Sequence, residues 1–356
     1  MKTRTITMIF ATILFISCNT KFKGQNKIEQ SRGVSLLKNE AAKKVDVMID
    51  GKLFTSYWWP DDVMKPVLYP VYTSSGTEVT RGFPIKPRAG ERADHPHHVG
   101  IWLTYGYVNG YDFWGTSSAI PDSIRKASYG SIKHLSIDQL SGGKSEGFLV
   151  ISGSWVTSGG KELLAEKTEY RFIARGATRI IDRITILTAS SENVSLKDTK
   201  EGMFAIRVAR ELELPSKEEI ILTDARGNPE TIKKMTNEAV SGAYRSSEGI
   251  INEKVWGTRS KWMTLYGNIG DEKIDVVMFD HPKNPNYPTY WHARDYGLFS
   301  INPFGVKDFT EGKQELNYSI PAGKSIKLRY RVIIHSGSHL SDSEIEAFAN
   351  NFSKKY

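Results

Sequence analysis

The chain has 356 residues, 39% hydrophobic and 25% charged, which excludes a disordered or fibrous protein. The single cysteine excludes internal disulfide bonds, and after residue 20 no apolar run approaches the roughly 20 residues that span a bilayer. The net charge of +8 is spread along the chain without a dense basic block, so we expect no nucleic-acid partner.

Residues 1–17 have the organisation of a bacterial export signal. Lys2 and Arg4 precede an apolar stretch over 6–16 that is too short to span a membrane. The following Ser17-Cys18 completes a segment that resembles a lipobox, in which the peptidase cuts before a cysteine that carries the lipid. We therefore expect a lipoprotein anchored to the membrane through Cys18, in the bacterial envelope and facing the periplasm. An ordinary secretory signal with an incidental cysteine is the alternative.

Cleavage before Cys18 would lower the net charge to +6. Residues 18–40 are polar and rich in lysine, which predicts a tether. No linker-like segment divides 41–340, so we expect one large domain there, followed by a C-terminal helix and tail over 341–356.

The body of the chain has the patterns of β-strands. Apolar and polar residues alternate over 45–49. Three consecutive runs separated by short glycine turns predict a β-meander over 147–157, 163–174 and 178–188. Further strands are predicted, in chain order, at 203–209, 218–223, 262–267, 273–279, 297–301, 315–320 and 325–335.

Only the C-terminus has a clear helix signal. Ser341 and Glu344 have the spacing of a capping box, and Ile345, Phe348 and Phe352 follow at helical intervals. Many strands in hairpins with one short helix predict an all-β protein, a large antiparallel β-sandwich.

The densest group of reactive side chains is Asp94-His95-Pro96-His97-His98. Pro96 disfavours a helix and predicts an extended His95, which would place His95 and His97 on one face and His98 on the other. Histidine exchanges protons near neutral pH and binds metals, so this segment indicates an acid–base or metal site. A structural loop with backbone-bonded imidazoles is the alternative.

The next motif surrounds Asn109-Gly110, which predicts a tight turn. Trp102 precedes this turn, and Asp112 and Trp114 follow it. Aromatic rings stack on sugar C–H faces, and amides and carboxylates bond to hydroxyls, so the motif suits a sugar. Core packing is the alternative for its aromatic residues.

A third motif covers 279–298, where three prolines within 282–288 predict a rigid irregular loop. Loops on a rigid scaffold often carry function. In this motif and in the first, an Asp precedes a His and could orient it. The candidate binding residues of the third motif are His281, Trp291, His292, Arg294 and Tyr296.

Acid–base chemistry on a sugar also needs a carboxylate. Glu166 is the first choice because a strand carboxylate that faces a sheet interior is costly unless it is paired or functional. The other candidate carboxylates are Glu169, Asp182 and Glu201. For any one of the four, a position on a solvated strand face is the alternative. The chain lacks the nucleophile-elbow, zinc-protease, P-loop and dinucleotide-binding patterns.

These motifs, together with Asn302-Pro303-Phe304-Gly305, resemble a bacterial family often labelled methane oxygenase PmoA-like. The resemblance covers most of the chain after Cys18. The label does not suit this sequence, because the methane oxygenase subunit crosses the membrane several times. The resemblance implies a fold similar to the galactose-mutarotase-like supersandwich and, by analogy, a carbohydrate site. Val99 stands where arginine is common in the family.

The leading hypothesis is a lipid-anchored carbohydrate-active enzyme. His97, His98 and His292 would transfer protons with Glu166 as their partner, in a hydrolysis, elimination or epimerisation. The residues expected to hold the sugar are His95, Trp102, Asn109, Asp112, Trp114, His281, Trp291, Arg294, Tyr296 and Asn302.

Two alternatives remain open. A non-catalytic glycan-binding lipoprotein would use the same aromatic residues, with the histidines as hydrogen-bond donors. A metal-dependent enzyme would bind a divalent ion through His97, His98 and a third ligand, although we expect no cofactor. Convergence of the histidines on one cleft with a buried carboxylate would favour the enzyme, whereas an open aromatic platform would favour the binder.

Overall fold

The structure, a computed structural model, describes residues 33–356, so the predicted signal segment, Cys18 and most of the tether lie outside the described residues. The strands are β1 (Val34–Asn39), β2 (Lys44–Ile49), β3 (Lys52–Trp58), β4 (Val67–Val71), β5 (Ile101–Tyr105), β6 (Gly130–Ser141), β7 (Glu146–Thr157), β8 (Glu162–Arg175), β9 (Thr178–Ala189), β10 (Val194–Leu196), β11 (Gly202–Arg207), β12 (Ala243–Ser246), β13 (Trp262–Ile269), β14 (Glu272–Asp280), β15 (Tyr290–Ala293), β16 (Leu298–Asn302), β17 (Tyr318–Ile320) and β18 (Ser325–Ser336). The helices are α1 (Asp122–Ser128), α2 (Val306–Phe309) and α3 (Asp342–Lys355), and short 3-10 turns cover Arg210–Leu212 and Asn252–Val255.

Two eight-stranded antiparallel sheets form the body of the molecule. Sheet I has the order β1-β2-β3-β4-β5-β11-β16-β15, and sheet II has the order β12-β13-β14-β18-β9-β8-β7-β6. Apolar side chains from both sheets fill one core, with Phe204 of β11 stacked on Tyr330 of β18. These features confirm the predicted all-β antiparallel sandwich.

Elements with a strong local pattern form as predicted. Strands β7, β8 and β9 pair consecutively as the expected meander. At the start of α3, Ser341 and Glu344 cap each other, which confirms the capping box. Ile345 and Phe352 of this helix pack on sheet II in a cluster separate from the main core.

Three expectations about the elements are wrong. Residues 34–39, assigned to the tether, form β1 because Val34 and Leu36 bury their side chains in the core. The predicted strand 218–223 makes only isolated bridges. The loop predicted after Asp280 contains β15, which pairs with β16 at the edge of sheet I.

Candidate functional site

The candidate site lies on the face of sheet I opposite the core. In β5 the neighbours of Trp102 enter the core, so Trp102 itself points to the outer face. Trp102 is paired with Ala205 of β11, Ala205 with Ser300 of β16, and Ser300 with His292 of β15. Opposed residues of antiparallel strands share a face, so this row brings the first and third sequence motifs together.

The three clustered histidines lie in a tight turn. The backbone N–H of His98 donates to the carbonyl of His95 at 2.9 Å, and His95 has a φ of 41°. The predicted extended backbone at His95 is therefore wrong. The turn gathers the rings: His95 stacks on His98 with centroids 4.9 Å apart, and His97 meets His98 edge-on at 4.3 Å.

Two buried arginines hold this turn through Asp94. Arg81 donates to the Asp94 carboxylate at 2.6 Å and to the carbonyl oxygens of His95 and His98. Arg207 of β11 donates to the same carboxylate at 2.8 Å. Burial works to raise the pKa of Asp94, but Arg207, a hydrogen bond from His95 and Arg81 hold it well below its usual range. One carboxylate therefore balances two buried guanidinium groups.

Arg207 also sets the protonation state of His98. Its Nη1 lies 3.3 Å from His98 Nδ1. A guanidinium group can only donate, so Nδ1 accepts and the proton of the neutral ring is on Nε2. Burial, followed by the effects of His97 and Arg207, lowers the pKa of His98 well below 6.5. His98 is thus a neutral ring that presents a fixed N–H donor.

His98 belongs to a cluster of three rings. It stacks on Trp102 at 5.2 Å and meets Trp114 edge-on at 5.5 Å, and the two indoles are 5.3 Å apart. His98 Nε2 and both indole nitrogens are buried and have no hydrogen-bond partner within residues 33–356. Buried indole N–H groups usually find an acceptor, so the cluster points to a ligand or water molecule that supplies one.

Trp114 is positioned by the motif that contains Asn109-Gly110. Both residues have positive φ angles and Val108 bridges to Tyr111, which confirms the tight turn. The carboxylate of Asp112 accepts the backbone N–H of Trp114 at 2.7 Å. Asp112 therefore shapes the site through the backbone of its neighbour.

His292 and Glu201 add an acid–base pair beside Trp114. The ring of His292 lies 6.4 Å from that of Trp114, and its Nδ1 is 4.0 Å from Oε2 of Glu201. Burial, followed by Arg294 and Lys200, lowers the pKa of His292 to about 3. Burial raises the pKa of Glu201, although 35% of this side chain still meets solvent. Burial thus favours the uncharged form of both groups.

Lys65 is a buried cation that no local pattern identified. Its Nζ donates to the carbonyl of His97 at 2.7 Å and lies 5.4 Å from the centroid of the Trp102 ring. Burial lowers the pKa of Lys65 to about 7, against the opposing effect of Asp112. Lys65 therefore links the histidine turn to the ring cluster.

The structure brings nine of the predicted residues to this site. Tyr296 closes its rim by stacking on His95 at 4.9 Å, and the guanidinium of Arg294 lies 5.8 Å from the Tyr296 ring. The nine are His95, His97, His98, Trp102, Asp112, Trp114, His292, Arg294 and Tyr296.

Glu166 is not among them, which corrects its assignment as the catalytic carboxylate. It lies in β8 of sheet II and is buried in the sandwich. Its carboxylate accepts from Arg183 Nη2 at 2.7 Å and from the indole N–H of Trp155 at 2.8 Å. Glu166 is thus a structural ion-pair partner.

Three predicted binding residues also have structural roles instead. Asn109 accepts the backbone N–H of Ser195 at 2.7 Å and holds its own turn in place. His281 packs edge-on against a phenylalanine of α3. Trp291 faces the core and donates to the carbonyl of Ser260 at 3.1 Å.

Asn302 acts on the site indirectly. Its side-chain amide donates to the carbonyls of Thr199 and Lys200 at 2.8 and 2.9 Å. It thereby braces the segment that presents Glu201. Within residues 33–356 no three His, Cys, Asp or Glu side chains are grouped to hold an ion.

The buried state of His292 predicts a pH effect on stability. Its pKa is about 3 in the folded chain and 6.5 when unperturbed, so below pH 6.5 the unfolded chain binds a proton that the folded chain does not. This group therefore costs stability as the pH falls from about 6.5 toward 3, at about 1.4 kcal/mol per pH unit. We expect the stability gap, the free energy of unfolding of the wild type minus that of His292→Gln, to narrow at that rate as the pH falls.

Urea unfolding of both proteins from pH 7.5 to 4.5 measures this gap. Burial also raises the pKa of Glu213 and of Asp280 to about 7, and such acids have the opposite effect on stability. Both proteins contain these acids, so their contribution cancels in the difference between the two free energies of unfolding. A gap that stays constant with pH would show that folding does not lower the pKa of His292.

Within residues 33–356 no helix combines the length and apolarity needed to cross a bilayer.

Comparison with known proteins finds no curated protein that matches this chain.

Solved structures resemble it only distantly. The galactosidase domain of an α-galactosidase-sucrose kinase matches at 9% identity and a TM-score of 0.37, over 85% of this chain and 42% of that one. The α-galactosidase AgaB from Geobacillus stearothermophilus matches at 10% identity and a TM-score of 0.34, over 85% and 41%. A galactose mutarotase-like protein from Lactobacillus casei matches at 10% identity and a TM-score of 0.30, over 85% and 100%.

This chain thus spans less than half of each of the two galactosidase chains. One family model matches residues 44–350, and its description carries no methane oxygenase label. The chain therefore belongs to DUF6807, a family of unknown function.

Proposed function

We propose that this protein is a carbohydrate-active enzyme whose site lies on the outer face of sheet I, around His98 and Trp114. The observation that carries the proposal is the ring cluster, whose three buried N–H groups have no acceptor within the described chain. Sugar oxygens accept hydrogen bonds from such N–H groups, so a sugar would supply the missing acceptors.

The catalytic work is assigned to Glu201 and His292. Because its pKa is lowered, His292 is neutral at pH 7, and Glu201 keeps its proton to a higher pH than a free glutamate. The pair can remove a proton from a sugar C–H or O–H group or return one. The fixed N–H of His98 would stabilise an oxygen on which negative charge develops. Elimination and epimerisation use both operations, and hydrolysis uses the proton transfer.

The proposal includes the cell envelope as the place of action. Its support is the sequence of residues 1–18, where a short basic and apolar leader ends at the only cysteine of the chain. A lipid on Cys18 would hold the domain at the membrane, facing the periplasm.

A panel of monosaccharides and oligosaccharides tests the function. We expect the wild type to bind and turn over members of the panel, and His98→Ala to lose both properties because the ring cluster loses its fixed donor. His335→Ala, in sheet II, is the control and should retain both.

Turnover that survives His98→Ala undamaged would contradict the role of His98. Binding without turnover by the wild type would favour a glycan-binding protein over an enzyme. Failure of the wild type to bind any sugar would contradict the whole proposal.

A further inference from the structure

A groove with a volume of about 360 Å³ opens beside the candidate site. The residues that line it are Lys200, Trp256, Lys307, Asp308, Glu311 and Gly312. Lys200 directly precedes Glu201 in the chain, and it contributes to the lowered pKa of His292. The groove and the acid–base pair are therefore neighbours.

A continuous path of aromatic rings joins the groove to the site. Trp256 meets Phe309 of α2 edge-on at 5.6 Å, and Phe309 stacks on Tyr290 at 5.2 Å. Phe309 also lies 6.4 Å from the ring of His292, which in turn neighbours Trp114. Trp114, His292 and Phe309 are buried, so these rings form a packed wall between the site and the groove, and Trp256 is the member of the path that is partly exposed.

The backbone holds Trp256 in register with the site. The N–H of Gly257 donates to the carbonyl of Trp291 at 2.9 Å, and the N–H of Trp291 donates to the carbonyl of Thr258 at 3.1 Å. The segment that follows Trp256 is therefore bonded to β15, the strand that carries His292.

The polar lining of the groove suits hydroxyl groups. Lys200 and Lys307 offer ammonium donors, while Asp308 and Glu311 offer carboxylate acceptors. A sugar hydroxyl both donates and accepts, so it needs such a mixed set. Trp256 is half-buried, and its indole nitrogen is a buried donor with no partner in the described part of the chain.

We propose that this groove is a second sugar subsite, with Trp256 as its stacking platform, and that the substrate is an oligosaccharide of at least two units. The volume lies within the range of roughly 300–1,000 Å³ of small-molecule sites. The inference rests on the proposed function, since the first sugar unit occupies the ring cluster. It adds chain length as a requirement that the ring cluster alone does not impose.

Calorimetric binding to sugars of increasing length tests the subsite. The probes are glucose and galactose together with their α- and β-linked di-, tri- and tetrasaccharides. We expect the wild type to bind an oligosaccharide at least about 10-fold more tightly than its monosaccharide, which corresponds to about 1.4 kcal/mol for one added stacking contact.

Variants then locate the effect. Trp256→Ala should weaken oligosaccharide binding about 10-fold more than monosaccharide binding, and Trp256→Phe should keep most of the preference because it retains an aromatic face. If Trp256→Ala does not fold, Lys307→Ala at an exposed residue is the second variant. It should reduce the preference for the oligosaccharide several-fold.

The outcomes separate the two proposals. Monosaccharide binding that depends on His98, with no gain from chain length and no selective effect of Trp256→Ala, would overturn the subsite alone. If no probe binds the wild type, both the subsite and the proposed function are overturned.

Discussion

Glu201→Gln should lower the turnover of the sugar substrate by about 10²- to 10⁴-fold, the range lost when a general acid–base group is removed. Glutamine keeps the size of the side chain but cannot exchange a proton. Glu201 is the carboxylate nearest to His292, with 4.0 Å between Oε2 and Nδ1. It is also partly exposed, so the substitution should leave the fold unchanged.

The pH dependence of kcat and kcat/KM gives the sharper readout. Burial raises the pKa of Glu201, so the wild-type profile should have a limb displaced above the pH at which a free glutamate titrates. Glu201→Gln should remove that limb. Glu192→Gln, an exposed carboxylate that pairs with Lys161, is the matched control and should leave kcat and the profile unchanged. A Glu201→Gln enzyme with unchanged kcat and a raised KM would place Glu201 in binding only.

The choice between Glu201 and Glu166 shows where reasoning from sequence stops. The sequence left open whether Glu166 faces a sheet interior or solvent, and a strand pattern cannot show which sheet a strand joins. Glu166 faces the core from sheet II, where Arg183 neutralises it. Glu201 lies just before β11, and its place beside His292 follows from the pairing of β11 with β16 and of β16 with β15.

The same limit explains the residues that the sequence did not identify. The meander and the capped helix depend on neighbours in the chain, so local patterns predicted them. Arg207 and Lys65 bond to residues far away in the sequence. Arg207 donates to Asp94, and Lys65 donates to the backbone carbonyl of His97. Neither has a local motif around it. The Asp that precedes His95 was the one local signal of this network, since the carboxylate lies 3.3 Å from His95 Nδ1.

Asp94→Ala should destabilise the fold by about 3 kcal/mol or more, because removing one partner of a buried ion pair leaves a buried charge uncompensated. The side chains of Arg81 and Arg207 are both fully buried, and both donate to Asp94. Glu213 lies 3.8 Å from Arg207 but already accepts from Arg92 at 2.7 Å, so it cannot fully replace the lost carboxylate. Urea unfolding at pH 7.5 measures the loss.

Asp94→Asn is the informative companion, because its amide oxygen can still accept the two guanidinium hydrogen bonds, which both arrive at Oδ1, but it carries no charge. The free energy of unfolding of Asp94→Asn should lie between those of the wild type and Asp94→Ala. Asp61→Asn, which alters an exposed pair with Lys43, should leave the stability unchanged. Nitrogen NMR of His98 adds a readout that stability alone does not give: when Arg207 is freed from Asp94, the Nε2–H form should no longer be the sole tautomer. If Asp94→Ala unfolds like the wild type and His98 keeps that tautomer, then the carboxylate neither balances the buried arginines nor orients the donor of the site.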